Sequence, residues 1–270
     1  MAVIGAIPRH DHLVLPSRHL GLVQASESIE IEDQIERIAD QVEAHVSLER
    51  LEELAMPPVI DECGGVGTNG GVKPSSIVSS VLPSIAPLGQ HIAVAADDAF
   101  RFFYPHLEEG WKRAGAEISF FSPLDDEAPA KVADAIYLPG GYPELHAGRL
   151  AANQRFIGGL QAAAQNGIQI YGECGGYMVL GDGLVDKEGT RHKMAGLLSL
   201  ETSFEKRKLH LGYRHVVRDD GVVFRGHEFH YATTLTEKGG ALFSDVGGEQ
   251  SYGLRQGSVS GSFVHLIDRA

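Results

Sequence analysis

The sequence predicts an α/β fold over residues 91–270, with a mainly parallel sheet flanked by helices. Three observations carry this. Short apolar runs recur at residues 92–95, 135–138 and 168–171, as expected of strands buried on both faces. Segments of helical length, 104–114 and 150–166, lie between them. Glycines follow directly on strand ends, at Gly140-Gly141 and around Cys174, where an open α/β sheet places its crevice.

Ahead of this region, Val3-Ile4-Gly5-Ala6-Ile7 reads as a short strand closed by Pro8, followed by a loop with proline and histidines to about residue 22. Residues 29–54 have helical period, with Ile31, Ile35, Ile38, Val42 and Val46 on one apolar face and Glu27 or Ser28 near the start as a cap. One strand and one helix cannot bury a core, so residues 1–55 read as the end of something larger. Met56-Pro57-Pro58 breaks the helix, and the glycines, serines and prolines to residue 89 read as a mobile linker. Within 90–270, Glu117-Ile118-Ser119-Phe120-Phe121 is a further strand. After Gly196 the strands become amphipathic and read as antiparallel, as at 213–217 and 261–264.

With 270 residues and 43% hydrophobic content, the chain holds one large domain or a domain plus a fragment. A formal charge of -13 argues against non-specific nucleic-acid binding and against anionic membrane surfaces. No apolar run is long enough to span a bilayer, and residues 1–12 lack the features of a signal peptide. The two cysteines, Cys63 and Cys174, make a disulfide framework improbable, so a reducing, cytoplasmic setting is expected.

Gly172-Glu173-Cys174-Gly175-Gly176 is the stretch with the clearest chemistry. Glycine accepts the dihedrals of a sharp strand-to-helix turn and leaves room for substrate beside the sulfur. The helix that follows turns its free N–H groups toward the sulfur and favours thiolate. Buried structural cysteines are common, so the flanking glycines and the preceding strand carry the argument. A thiol nucleophile needs a base, and 13 histidines compete for that role. His265 follows the short strand 261–264, whereas His227 and His230 flank Glu228 in a strand-like context. Helical zinc motifs space their histidines four apart, and these two are three apart, so no metal is assigned. Gly140-Gly141 can present backbone N–H groups to an oxyanion, with a second donor from Gly175. The residues alone therefore describe a cysteine acyl-transfer enzyme of unspecified substrate.

Several stretches carry a family resemblance. They are Asp98-Ala99-Phe100, Phe102-Phe103-Tyr104, Phe120-Phe121-Ser122-Pro123-Leu124, Leu138-Pro139-Gly140-Gly141-Tyr142-Pro143-Glu144-Leu145, the Cys174 motif through Met178, Leu211-Gly212-Tyr213-Arg214, Gly226-His227-Glu228-Phe229-His230-Tyr231 and Gly261-Ser262-Phe263-Val264-His265. Together they resemble the class I, flavodoxin-like glutamine amidotransferase domain of the cobyrinic acid a,c-diamide synthase family. Pro16-Ser17-Arg18-His19-Leu20-Gly21-Leu22 is similar to the end of that family's P-loop-type ATP-dependent synthetase domain. The resemblance implies that Cys174 attacks the side-chain amide of L-glutamine and that His265 raises its nucleophilicity. Glu173, Tyr213, Arg214, Glu228 and His230 become candidate substrate or structural residues. Ammonia would amidate the a and c carboxylates of a corrinoid acceptor, cobyrinic or hydrogenobyrinic acid, each activated by ATP and Mg²⁺ in the synthetase part.

Two features depart from the pattern. Many class I glutaminases carry a glutamate two residues past the histidine; here that position is Ile267, followed by Asp268, which leaves a Cys–His pair. The family's glycine-rich phosphate loop does not occur in the sequence, so no cofactor is expected to bind this chain and a separate synthetase part is expected to supply ATP chemistry. The competing expectations are a non-catalytic docking fragment, a relative that amidates another tetrapyrrole, and a cysteine hydrolase of small amides.

Overall fold

The structure, a computed structural model, describes residues 2–14, 17, 18, 21, 22, 30–55, 59, 60, 66, 67 and 85–270. The chain divides into two units, Met1–Val78 and Ser79–Ala270. Cys63, the proposed helix cap at Glu27 or Ser28, and most of the expected linker lie outside the described residues.

In the first unit the expected single helix is two, α1 (Ile31–His45) and α2 (Leu48–Leu54). β-Branched Val46 adopts an extended conformation and bridges Gly5, while the Ser47 hydroxyl accepts the Arg50 N–H at 3.1 Å and starts a new helix. A serine followed by a fresh turn satisfies the orphan N–H groups of a helix start, and that local bond outcompetes continuation. Among the described residues, the strand expected at residues 3–7 is reduced to that bridge and its two flanking bonds, Ser47 N–H to Ile4 O and Ala6 N–H to His45 O. Of the predicted apolar face, Ile31, Ile38, Val42 and Val46 are half-buried while Ile35 is 51% exposed, and Gln34 is the buried residue of α1.

The second unit is built on β1 (His91–Ala95), α3 (Pro105–Arg113), β2 (Glu117–Phe121), β3 (Ala135–Leu138), α4 (Ala147–Ala152), α5 (Gln154–Gln165), β4 (Gln169–Glu173) and α6 (Gly175–Leu180). The predicted strands and α3 are all present. The helix expected over 150–166 is split into α4 and α5 at Asn153, whose side-chain amide donates to the carbonyls of Pro123 and Leu124. The chain continues through β5 (Gly183–Val185), β6 (Arg191–Lys193), β7 (Ser199–Ser203), β8 (His210–Val217), β9 (Val223–His230), β10 (Thr233–Lys238), β11 (Gly240–Asp245), β12 (Ser251–Gln256), β13 (Val259–Ser262) and β14 (Val264–Arg269). Ten strands form one mixed sheet in the order β14-β9-β8-β11-β12-β13-β4-β3-β1-β2, and β6-β5-β7-β10 form a smaller one.

The run from β13 to β2 is parallel, and the run from β14 to β12 is antiparallel. The strand expected to be antiparallel at 261–264 is two elements. β13 lies parallel to β4, with Gly261 opposite Gly172 and Ser262 opposite Glu173. After Phe263 the chain enters β14, where Val264 pairs with Glu228 and His265 with His227 of β9. Since β13 sits mid-sheet and β14 at its edge, a single residue between them requires the sheet to curl until the edge meets the carboxyl end of β4. Gly226 permits this approach, because a Cβ there would lie 2.3 Å from the His265 carbonyl oxygen.

Side chains alternate between two faces of the parallel strands, both of which are buried. One face carries Trp111, Tyr137, Tyr171, Phe224, Phe243 and Leu266, with Ile85 and Leu88 packed against them. On the far side of the domain, Phe156 of α5 is fully buried, edge-on to Phe100 and at 6.3 Å from Phe121. Among the described residues no helix is long and apolar enough to cross a membrane.

Phe156→Ala is expected to destabilise the second unit by about 3–5 kcal/mol through lost transfer energy and the residual cavity. The urea midpoint of unfolding, followed by tryptophan fluorescence at Trp111, measures this.

Candidate active site

Cys174 stands between β4 and α6 at φ 49, ψ -101, one of two described non-glycine residues with positive φ. That conformation is strained for a residue with a Cβ and is a recurrent feature of nucleophile turns. The space around it admits no side chains. A Cβ on Gly176 would sit 1.9 Å from Leu138 O, and one on Gly175 would sit 2.8 Å from Pro143 Cδ. The Cys174 N–H donates to Ser262 O at 2.8 Å, which ties the turn to β13. The sulfur is 4% exposed at the residue level and lies 4.0 Å from Phe229 O. Because α6 has only six residues, the positive charge beside the sulfur comes chiefly from a side chain rather than from the helix end.

His265 is that side chain. It is 2% exposed, the Cys174 side chain is the strongest influence that raises its pKa, and a Cβ on Gly140 would meet its Cε1 at 2.6 Å. Nδ1 faces away from the sulfur: Tyr104 Oη lies 3.1 Å from it and Glu173 Oε1 3.4 Å. This leaves Nε2 for the thiol. Burial opposes protonation of His265 most strongly, but Cys174 and then Glu173 outweigh it and raise its pKa to about 10. His227 stacks on His265 at 4.8 Å and 7°, half-buried; burial and then His265 lower its pKa, so it is the neutral member of the pair. Burial also raises the pKa of Tyr104, so its hydroxyl is a neutral partner.

The Gly140-Gly141 turn approaches the same point. A Cβ on Gly175 would lie 3.1 Å from Gly141 N, so the two backbones converge beside the sulfur. The Gly175 N–H opens α6 and has no intrahelical acceptor. These amides can serve a developing oxyanion.

The remaining predicted residues divide. Glu173 belongs to the centre: its Oε1 accepts the Tyr137 hydroxyl and its Oε2 the Leu266 N–H, both at 3.1 Å. Arg214, Glu228 and His230 form a separate network. Arg214 donates from Nε and Nη2 to Glu228 Oε2 at 2.9 and 2.7 Å, and His230 Nε2 lies 3.0 Å from Glu228 Oε1. Alternation along β9 puts Glu228 and His230 on the face opposite His227. His230 stacks between His210 at 4.6 Å and Phe263 at 3.9 Å. His210, Glu228 and His230 are close enough to invite a cation. However, the His210 and His230 rings lie in parallel planes, so no single point lies in both, and Arg214 already occupies one carboxylate oxygen. Tyr213 is 92% exposed and lies opposite His227 on the neighbouring strand β8. Asp268 pairs across to Arg225, and its Oδ1 accepts the Arg269 N–H, so it does not orient His265. His227, a rival for the base in the sequence, packs against His265 instead; Tyr104 was not singled out, although it lies in the Phe102-Phe103-Tyr104 stretch, because a hydroxyl reaching across 161 positions leaves no local signal.

Fold and centre together are those of an α/β domain with a cysteine on a strained strand-to-helix turn, faced by a buried histidine. The chain belongs to the family of CobB/CobQ-like glutamine amidotransferase domains, whose model matches residues 91–269. The hydrogenobyrinate a,c-diamide synthase of Brucella anthropi is 53% identical over 279 residues, covering 98% of this chain and 60% of that protein. The protein of the same name from Sinorhizobium sp is 51% identical over 280 residues, covering 100% of this chain and 61% of its own length. This chain thus spans about 60% of the length of the curated relatives it matches. The solved structure of PurLQS from Thermotoga maritima is similar at 18% identity and a TM-score of 0.46, over 66% of this chain and 87% of that one.

The raised pKa of His265 has a consequence for stability. A group whose pKa rises on folding contributes stability that is present below its unfolded value, near 6.5, and is lost as pH rises through about 10. Imidazole NMR is expected to show His265 losing its proton near pH 10, and Cys174→Ala is expected to bring that inflection down.

Proposed function

We propose that this chain is the glutamine-hydrolysing part of an ATP-dependent amidotransferase of cobalamin biosynthesis. The acceptor is hydrogenobyrinic acid, or its cobalt-bearing counterpart cobyrinic acid, amidated at the a and c side-chain carboxylates. The observation that carries the hydrolytic half is the buried Cys174–His265 pair beside the converging Gly141 and Gly175 backbones. The acceptor half rests on the names of the relatives.

The reaction runs in two stages. Cys174 Sγ attacks the side-chain carbonyl carbon of L-glutamine, and the oxygen that becomes negative is met by the Gly141 and Gly175 amides. The imidazolium Nε2 of His265 donates its proton to the leaving nitrogen, which departs as ammonia and leaves a glutamyl thioester. In the second stage His265, now neutral, takes a proton from water. The hydroxide adds to the thioester carbonyl, the C–S bond breaks, and glutamate leaves as the thiolate–imidazolium pair is restored.

ATP and Mg²⁺ would activate the acceptor carboxylates in a synthetase part, to which we assign residues 1–55, with residues 56–89 as the linker to the glutaminase domain. Among the described residues of the first unit, the start of α1 carries Glu32 and Asp33, which suits no phosphate. We assign no described residue of this chain to ATP or Mg²⁺.

Glutamate release from glutamine by the purified chain tests this, with and without the synthetase part. Cys174→Ala is expected to abolish release, His265→Ala to reduce it by about 10²–10⁴-fold, and His227→Ala to change it far less. Equal rates from wild type and Cys174→Ala overturn the nucleophile, and absence of turnover under both conditions supports a docking fragment instead.

A further inference from the structure

Glu173 is the only carboxylate among the described residues that contacts the His265 ring, and the glutaminase reading gives it no task. It is 1% exposed, in a protein where a buried carboxylate is costly unless it is bonded and faces a positive charge. Both conditions hold. Its two oxygens are fixed by the Tyr137 hydroxyl and the Leu266 N–H, and its Oε1 lies 3.4 Å from His265 Nδ1. The bond to Leu266 is informative because Leu266 follows the histidine in β14. The carboxylate thus holds the histidine by both its ring and its backbone. Tyr137 is fixed in turn by a parallel stack on Tyr171 at 5.9 Å and by Trp111 at 5.5 Å.

We propose that Glu173 is the positioning residue of the site: it keeps the proton of His265 on Nδ1, holds Nε2 toward the sulfur and stabilises the imidazolium that forms. It thereby fills the role left open by Ile267. The proposal rests on the glutaminase reading for its purpose, but not for its test. Glu173 lies on β4, directly before the nucleophile, because strand alternation turns it to the face shared with Tyr137 and Tyr171 while the reversed backbone of Cys174 turns the sulfur into the crevice. Tyr104 is the competing partner of Nδ1. A neutral hydroxyl can hold the ring in place, but it cannot stabilise positive charge as a carboxylate does.

The test is the titration of His265 by imidazole NMR, joined to the pH profile of glutamine hydrolysis. In Glu173→Gln the His265 inflection and the basic limb of kcat are expected to move down by about one pH unit or more, with kcat falling about tenfold or more and KM changing less. Tyr104→Phe should leave the inflection near that of wild type. A lower rate in Glu173→Gln with an unmoved inflection would mean a structural role and overturns the proposal. If Glu173→Gln does not fold, Cys174→Ala decides, since there Glu173 is the remaining anion beside the ring. The inflection should then stay above about 6.5, and a value below it, as burial alone produces, overturns the proposal. Because the titration needs no turnover, it fails or succeeds independently of the glutaminase reading.

Discussion

One residue held in left-handed backbone at the end of β4 sets the geometry of everything around it. Strain at such a position is on the order of 1–3 kcal/mol and persists only where the surroundings over-determine it. Here they do: the Cys174 N–H is bonded to β13, Gly176 is pressed onto the backbone of β3, and Gly175 is pressed onto Pro143. The turn is thus anchored to three neighbours at once. Its side chain cannot relax inward, and the sulfur is presented to the crevice.

The histidine reaches that sulfur through a global feature rather than a local one. β13 and β14 are separated by Phe263 alone, yet one lies mid-sheet and the other at the edge. Only a curled sheet reconciles these positions, and the apolar residues between its walls, Trp111, Tyr137, Phe224 and Phe243 among them, supply the energy that holds the curl. The approach of His265 to Cys174 and the packing of the core are in this way the same property. A loss of packing inside the curl would move His265 before it unfolded the domain.

Much of this was legible in the sequence. The parallel strands announced themselves as short apolar runs because both their faces are buried, and Cys174 and Gly140-Gly141 fell at strand ends as α/β logic requires. The breaks at Val46-Ser47 and Asn153 were missed because a single capping serine or a side-chain amide bonding two distant carbonyls overrides helical period. Reading 261–264 as one antiparallel strand failed for another reason: four residues span two elements with different partners, and pairing is not a local property. The same limit governed the centre. Choosing His265 from 13 histidines needed a family resemblance, because its approach to Cys174 is made between strands far apart in sequence. Glu173 lay beside the nucleophile, but its relation to His265 is made across the curl and has no sequence spacing to reveal it.

The adjacency of Glu173 and Cys174 carries a consequence. With Glu173 and Cys174 as neighbouring residues, a single peptide bond sets their separation, and the final strand contributes one side chain, His265, to the centre. Beyond His265 and the backbone of Leu266, Asp268 and Arg269 pair with β9, and the Ile267 carbonyl lies 3.1 Å from His106 Nε2. Substitutions that disturb the pairing of the final strand would therefore act on the chemistry through the position of His265, whereas β4 and the turn at its end carry both neighbouring side chains.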